Sequence, residues 1–161
     1  MDYVVSSDIH GNEYNVSLDE LKWRPSAYGI VVKDDKILLT KQYGKYEVPG
    51  GGVDLGEAPE DAVVREVKEE TGIDVAHPCL VKHLSGYFSH EEFGKMQHKQ
   101  SLLLFFVCDH VGGDLSLDGL MEDERPVTEM AEWIPLSDLS SVESGSTFNW
   151  KSVVKEVLGL T

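Results

Sequence analysis

The chain has few basic residues. Fourteen Lys and Arg stand against 29 Asp and Glu in 161 residues, which gives a net charge of −15. A field of this sign repels nucleic acid backbones and anionic membranes, so we expect neither as a partner. It also repels free polyphosphates unless a metal or a local basic pocket reverses the sign. Phosphate chemistry in this protein should therefore depend on metal.

Cysteines and long apolar runs are also scarce. Two cysteines, Cys79 and Cys108, do not make a disulfide framework, so we expect reduced thiols and a cytoplasmic protein. No apolar run approaches the roughly 18 residues of a membrane span. The first residues, MDYVVSSDIHG, lack a basic region, so we expect no secretory signal. The length and composition are those of one globular domain.

The main feature that is present is an acidic helix after a glycine turn. Glu66, Glu69 and Glu70 stand at i, i+3 and i+4, which places them on one helix face about 5–6 Å apart at Cβ. Carboxylates this close repel one another, and oxygen ligands favour hard divalent cations such as Mg²⁺. A solvated acidic face is the alternative, because that is what most charged runs are.

Neighbouring residues predict where this helix begins, ends and packs. Pro59 suits the first turn, and Gly72 suits the position after the last turn. Val63, Val64 and Val67 form an apolar side that can pack on a sheet. The glutamates therefore face a cleft or solvent.

Strand patterns flank the helix on both sides. Apolar stretches joined by the turn at His10-Gly11-Asn12 predict an N-terminal hairpin, which we place in an extension of residues 1–24 before a main domain of residues 25–161. Residues 100–107 are apolar on both faces, so we expect a central strand there. Residues 85–99 are polar, aromatic and His-bearing, and we expect a loop over a pocket.

Gly51, Glu57 and the run Arg65–Ile73 (REVKEETGI) stand at set spacing. Five residues separate the first two, and seven separate Glu57 from Arg65. The sequence resembles the Nudix hydrolases, the MutT-like pyrophosphohydrolases, in this whole signature, and the resemblance extends from about Ala27 to Leu139. It implies an α/β (α+β) fold, an α/β/α sandwich around a mixed β-sheet, preceded here by the short N-terminal β-hairpin.

The resemblance implies Mg²⁺-dependent hydrolysis, with Mn²⁺ as a possible substitute. The bond cleaved is a pyrophosphate bond in a nucleoside diphosphate linked to another moiety, which releases a nucleoside monophosphate plus pyrophosphate or the phosphorylated moiety. The implied metal ligands are Glu66, Glu69, Glu70 and the Gly51 carbonyl, and Glu66 instead or also helps deprotonate the attacking water. These three glutamates are the implied catalytic set.

Other residues of the signature have implied structural roles. Glu57 and Arg65 resemble the ion pair that holds the loop against the helix in this family, and Gly72 ends the helix. Arg65 is accordingly interpreted as an orienting residue rather than as a phosphate ligand.

The general base of the family often lies outside the signature. Glu129 is our first candidate for this catalytic role because it precedes the last strand. For each candidate the alternative is an ordinary surface glutamate. The other candidates are Glu91, Glu92, Glu124 and Glu132.

Substrate contacts are predicted from basic and aromatic residues near the signature. Arg24, Lys41 and Lys45 are candidates for the substrate phosphates, and Tyr87 is a candidate for stacking on a base. The alternatives are edge protection for the lysines and core packing for the aromatic ring.

The resemblance implies a small nucleotide as the substrate. No proline follows the signature where ADP-ribose hydrolases often carry one, which favours nucleoside triphosphates; nucleotide sugars and ADP-ribose are the alternatives. A non-catalytic Nudix-like ligand sensor is a hypothesis of another class, but such modules often lack glutamates that are present here. A third is a Nudix-fold isomerase, whose members usually depart from the signature. We expect a monomer or a homodimer.

One further motif competes for the site. Ser7–Asn12 (SDIHGN) resembles the first metal motif of calcineurin-like phosphoesterases, but the later motifs of that family are absent. A short isolated motif matches by chance often, so a hairpin turn is favoured.

Two substitutions separate these hypotheses. We expect Glu69→Gln to abolish turnover, because it removes an implied metal ligand, and His10→Ala to leave turnover nearly intact. Steady-state hydrolysis of a nucleotide substrate measures both. Loss of activity in His10→Ala would place the chemistry at SDIHGN instead.

Overall fold

The computed structural model describes residues 2–122 and 124–161. Within that part of the chain, nine strands and two helices form the fold, and no helix is long and apolar enough to cross a membrane. Single 3₁₀ turns lie at Leu18–Glu20 and Leu136–Asp138. The strands are β1 (Tyr3–Ser7), β2 (Glu13–Ser17), β3 (Leu21–Lys33), β4 (Lys36–Gln42), β5 (Lys45–Glu47), β6 (Gly50–Gly52), β7 (Ile73–Glu92), β8 (Lys95–Gly113) and β9 (Thr128–Pro135), and the helices are α1 (Pro59–Thr71) and α2 (Trp150–Leu158).

The strands make one mixed sheet in the order β2-β1-β7-β8-β3-β4-β5, with β6 paired to β3 and β9 to β4. β8 is central, parallel to β3 and antiparallel to β7, as its doubly apolar pattern predicted. Alternate residues of a strand face opposite sides. Phe106 accordingly packs in the cluster of α1, whereas Phe105 packs in that of α2. The predicted α/β/α arrangement is confirmed.

The predicted N-terminal hairpin is present as β1 and β2. Ser7 of β1 pairs with Phe88 of β7 in parallel, and the buried Ser6 and Ser89 hydroxyls lie 2.7 Å apart. The hairpin therefore extends the main sheet. β3 begins at Leu21 and crosses the proposed boundary between residues 24 and 25, so the division into 1–24 and 25–161 stays a prediction.

The prediction that residues 85–99 form a hairpin loop and no regular element is wrong, although Tyr87 and Phe88 of this segment do line a cavity. β7 continues to Glu92 and β8 begins at Lys95, so a two-residue turn joins two long strands. Phe93 and Gly94 have φ of 51° and 73°, the pattern of a type I′ hairpin turn. The segment is polar because both faces of this outer hairpin lie largely outside the core, and the strands still satisfy each other's backbone groups.

α1 begins and ends where the sequence predicted. Pro59 occupies its first turn, and Ala62, Val63 and Val67 are buried against the sheet. Gly72 closes the helix with φ of 80°, and its N–H donates to the Lys68 carbonyl. A Cβ at this position would lie 2.3 Å from the Asp114 carbonyl oxygen, so glycine is required for both conformation and space.

We expect Gly72→Ala to destabilise the protein by more than the roughly 1–2 kcal/mol that a left-handed conformation costs, because of the added clash. Gly56→Ala is the matched control, since Gly56 has φ of 85° and a Cβ added there would meet nothing within 4 Å. Denaturant unfolding measures both, and equal losses would show that the clash relaxes freely.

Candidate active site

The glycine turn brings the main chain against the acidic helix. Gly51 of β6 pairs with Ala27 of β3, and α1 lies over this pairing. A Cβ on Gly51 would lie 2.7 Å from Glu66 Oε1. Glycine therefore allows the Glu66 carboxylate to pack directly on the backbone of the turn.

Arg65 joins the turn to the helix. Its guanidinium donates to both carboxylate oxygens of Glu57 at 2.8 and 2.9 Å and to the Gly52 carbonyl at 3.1 Å. It also donates to Glu66 at 2.9 Å and to Glu69 at 3.1 Å. These hydrogen bonds from Arg65 lower the pKa of Glu57 to about 2. The loop-to-helix ion pair expected from the resemblance is thus present.

Glu70 is the most enclosed member of the acidic face. Burial raises its pKa well above the ordinary value, against a hydrogen bond from the Gly50 N–H at 2.8 Å, and the charges of Glu66 and Glu47 raise it further. Burial likewise raises the pKa of Glu66, against the guanidinium of Arg65. The site concentrates negative charge that one arginine does not balance.

This donor set fits a hard divalent cation by its chemistry. Three carboxylates and the carbonyl of a glycine turn are oxygen ligands. A cation would stabilise the charged forms of Glu66 and Glu70, whose pKa values are raised mainly by burial and further by neighbouring carboxylates. Within residues 2–122 and 124–161, no three His, Cys, Asp or Glu side chains are already arranged around a metal position. Arg65 donates to one oxygen of Glu66 and one oxygen of Glu69, so a cation would bind their second oxygens or compete with the guanidinium for the first.

Two adjoining cavities, of about 510 and 570 Å³, open beside this face. Arg24, Tyr28 and Glu47 line both, together with Ile9 from the N-terminal hairpin turn. The turn of the N-terminal hairpin is therefore part of the cavity wall. The second cavity includes Gly51 and Glu70, and the first includes the aromatic residues Tyr87, Phe88 and Phe148.

Glu47 was not predicted as a site residue. Burial raises its pKa to about 7, against a hydrogen bond with Ser146 that lowers it. The sequence held one signal for it, because Glu47 directly precedes the turn Val48-Pro49-Gly50-Gly51. The strand pairing of β5 with β4, which turns Glu47 toward the cavities, was not visible in the sequence.

The predicted substrate contacts divide into two groups. Arg24, Lys45 and Tyr87 line the cavities, although Lys45 also pairs with Glu143 at 3.3 Å. Lys41 lies outside both cavity linings, and its ammonium donates to Glu132 at 2.9 Å. Its role as a phosphate ligand stays a prediction without geometric support.

The candidate general bases outside the signature differ in their hydrogen bonds and in their distance from the acidic face. Glu129, our first candidate, accepts a hydrogen bond from the Gly44 N–H at 2.7 Å and lies outside both cavities. Glu124 also lies outside both cavities, but its charge adds to the burial that raises the pKa values of Glu66 and Glu70. The remaining candidates are Glu132, which is paired with Lys41 and Tyr46, and Glu91 and Glu92, which lie at the far end of β7.

The SDIHGN segment is the turn of the N-terminal hairpin. Both carboxylate oxygens of Asp8 accept hydrogen bonds within the hairpin, from the N–H groups of His10 and Asn12, the Asn12 amide and the Tyr14 hydroxyl. The Asn12 side chain is the main cause that lowers the pKa of Asp8 to about 2. The predicted turn is confirmed, and His10 lies at the wall of the second cavity.

Comparison with known families gives a direct match. The family model of the NUDIX domain matches residues 23–154. The chain belongs to the Nudix family. Members of this family generally use divalent metal cations, and the protein is a Nudix pyrophosphohydrolase.

Individual Nudix relatives support this assignment. The chain is 34% identical over 135 residues to the ADP-ribose pyrophosphatase of Methanocaldococcus jannaschii, covering 81% of this chain and 70% of the relative. It is 37% identical over 92 residues to the NAD-capped RNA hydrolase NudC of Vibrio atlanticus, where it spans 30% of the relative's length and 55% of its own. The crystal structure of the MutT protein of Bacillus halodurans superposes with a TM-score of 0.65 at 26% identity, covering 84% of this chain and 82% of that one.

The raised pKa of Glu47 predicts a pH dependence of stability in this Nudix enzyme. A carboxyl whose pKa is raised on folding stabilises the fold below its ordinary pKa of about 4.5, and this stabilisation is lost as the pH rises through about 7. Relative to Glu47→Gln, we expect the native free energy of unfolding to fall by about 2–3 kcal/mol between pH 5 and pH 8.

Denaturant unfolding of both proteins across this pH range measures the difference. Because the charge of Glu47 also raises the pKa of Glu70, the comparison measures Glu47 together with its effect on Glu70. Parallel stability curves for the two proteins would contradict the burial of the Glu47 charge.

Proposed function

We propose that this Nudix enzyme cleaves the pyrophosphate bond of a nucleoside diphosphate linked to another moiety, with Mg²⁺ as the cation. The main observation in support is that the first, aromatic cavity shares the walls at Arg24 and Tyr28 with the second cavity. The second cavity is lined by Glu70 of the acidic helix. A base can stack in the first cavity while its phosphates extend to Gly51 and Glu70 in the second.

Each residue of the acidic face has a proposed role. Glu66, Glu69, Glu70 and the Gly51 carbonyl would hold the cation, which would neutralise phosphate charge and lower the pKa of a bound water. Glu57 and Arg65 position the turn and the helix relative to each other. Arg65 would keep Glu66 and Glu69 in place before the cation is bound.

The carboxylate outside the signature is proposed to be Glu124. Its charge influences Glu66 and Glu70, and one of its oxygens accepts a hydrogen bond from the Met121 N–H at 3.1 Å. Glu129 is held by the Gly44 N–H and also lies 3.6 Å from the Lys41 ammonium. A general base must come within hydrogen-bond reach of the attacking water, and Glu129 is engaged elsewhere. The catalytic role predicted for Glu129 stays a prediction.

ADP-ribose is the first substrate to test, because the relative from M. jannaschii bears the name ADP-ribose pyrophosphatase. Two adjoining cavities also suit a substrate with a bulky group on each side of the pyrophosphate. Nucleoside triphosphates, which the sequence favoured, are the second class to test.

The experiment is a panel of ADP-ribose, nucleoside triphosphates, oxidised nucleotides, nucleotide sugars and dinucleoside polyphosphates, with Mg²⁺ or Mn²⁺. We expect ADP-ribose to give AMP and ribose 5-phosphate, separated by chromatography. Chelation of the metal should abolish turnover. Release of orthophosphate alone would contradict cleavage at the pyrophosphate, and ligand binding without any turnover would favour the sensor hypothesis.

A further inference from the structure

The sheet face that floors the first cavity continues outward past Arg24. Side chains at alternate positions share a face, so Lys22 stands on the same side of β3 as Arg24 and Tyr28. Lys99 of β8 is in register with Lys22, and its ammonium lies 3.3 Å from His90 Nε2 of β7. Three neighbouring strands thus bring four nitrogen-bearing side chains into one basic strip: Lys22, Arg24, His90 and Lys99.

The basic strip is poorly neutralised for a chain with a net charge of −15. In the described part of the chain, no ion pair joins Arg24 or Lys99 to a carboxylate, and Lys22 donates to the neutral amide of Gln97. Glu92 lies 4.0 Å from His90 at the edge of the strip. The strip therefore carries excess positive charge on an acidic surface.

The cations of the strip also repel one another. Burial lowers the pKa of Lys99, and the charges of Arg24 and Lys22 lower it further, while Glu92 raises it. An anion bound among these cations would attract each of them and offset their mutual repulsion. The basic strip is therefore suited to a ligand that carries negative charge.

His90 adds a hydrogen-bond donor without a partner. Burial and the Lys99 ammonium lower the pKa of His90, so the ring is neutral near pH 7. Because Nε2 accepts from Lys99, the proton lies on Nδ1, which is buried and has no partner among the described residues. Buried polar atoms are rarely left unpaired. Phe88, which lines the first cavity, stacks on this ring at 5.7 Å.

We propose that the basic strip is an anion subsite for a phosphate group of the nucleotide substrate that lies outside the pyrophosphate being cleaved. The proposal rests on the proposed function, because Arg24 belongs both to the strip and to the substrate cavities. Alternate residues of a strand lie about 6.5 Å apart and neighbouring strands about 4.8 Å apart, so the strip has room for one or two phosphates. That size fits a small phosphorylated nucleotide rather than a nucleic acid strand.

Binding measured by calorimetry tests the subsite without turnover. The ligands are AMP, adenosine 2′,5′-bisphosphate, adenosine 3′,5′-bisphosphate and a short 5′-phosphorylated oligoribonucleotide. We expect at least one bisphosphate to bind the native protein about 10- to 100-fold more tightly than AMP, as charge-assisted hydrogen bonds imply. The double variant Lys22→Gln/Lys99→Gln should bind that bisphosphate no more tightly than AMP, with its affinity for AMP unchanged.

The matched control is Lys33→Gln/Lys36→Gln, which removes the same charge from a register pair of exposed lysines at the β3–β4 turn. It should keep the native preference. Equal affinities for AMP and both bisphosphates in the native protein, or a preference that survives the double variant, would overturn the subsite. Tighter binding of the oligoribonucleotide than of either bisphosphate, lost in the double variant, would overturn the small nucleotide as occupant. Failure of AMP itself to bind the native protein would contradict the proposed function, on which the subsite rests.

Discussion

The site depends on one guanidinium. Arg65 donates to Glu57 and to the Gly52 carbonyl, which holds the glycine turn on α1, and it donates to Glu66 and Glu69 as well. Without this cation the carboxylates of Glu57, Glu66 and Glu69 would face one another across a short helix and its turn. Because the planar guanidinium forms a fork of two hydrogen bonds with Glu57, a lysine would not replace it.

The same guanidinium balances only part of the charge. Glu70 is buried beyond its reach, against the Gly50 N–H, and burial keeps the pKa of that carboxyl high. The protein thus stores an electrostatic imbalance that a divalent cation would relieve. Because Arg65 and the cation would share the carboxylates of Glu66 and Glu69, the metal would be coupled to the geometry of the turn.

The charged side chains of the sheet around this site are unevenly distributed. The family model begins at residue 23, yet the hairpin before it contributes Ile9 to both cavities. On the outer face of β3, β8 and β7, basic side chains gather where the chain as a whole is acidic. A substrate repelled by the overall charge would therefore meet a local surface of the opposite sign next to the cavities.

Local patterns predicted much of this protein. The spacing of Glu66, Glu69 and Glu70, the helix ends at Pro59 and Gly72, and the central strand of residues 100–107 depend on neighbours in sequence or on burial of both strand faces, and all lie where they were expected. The signature residues likewise predicted the family.

Other features depended on contacts between distant segments. The polar composition of residues 85–99 predicted a loop, because nothing local records that β1 and β3 supply partners for the long hairpin. The positions of Glu47, Glu124 and the basic strip follow from strand register and loop packing, which join residues far apart in the chain. The sequence by itself determined the helix, its carboxylates and the reaction class, because these depend on residues within one stretch. Only the tertiary structure decided which other charges share the site, because a side chain's electrostatic neighbours are set by pairing across the sheet.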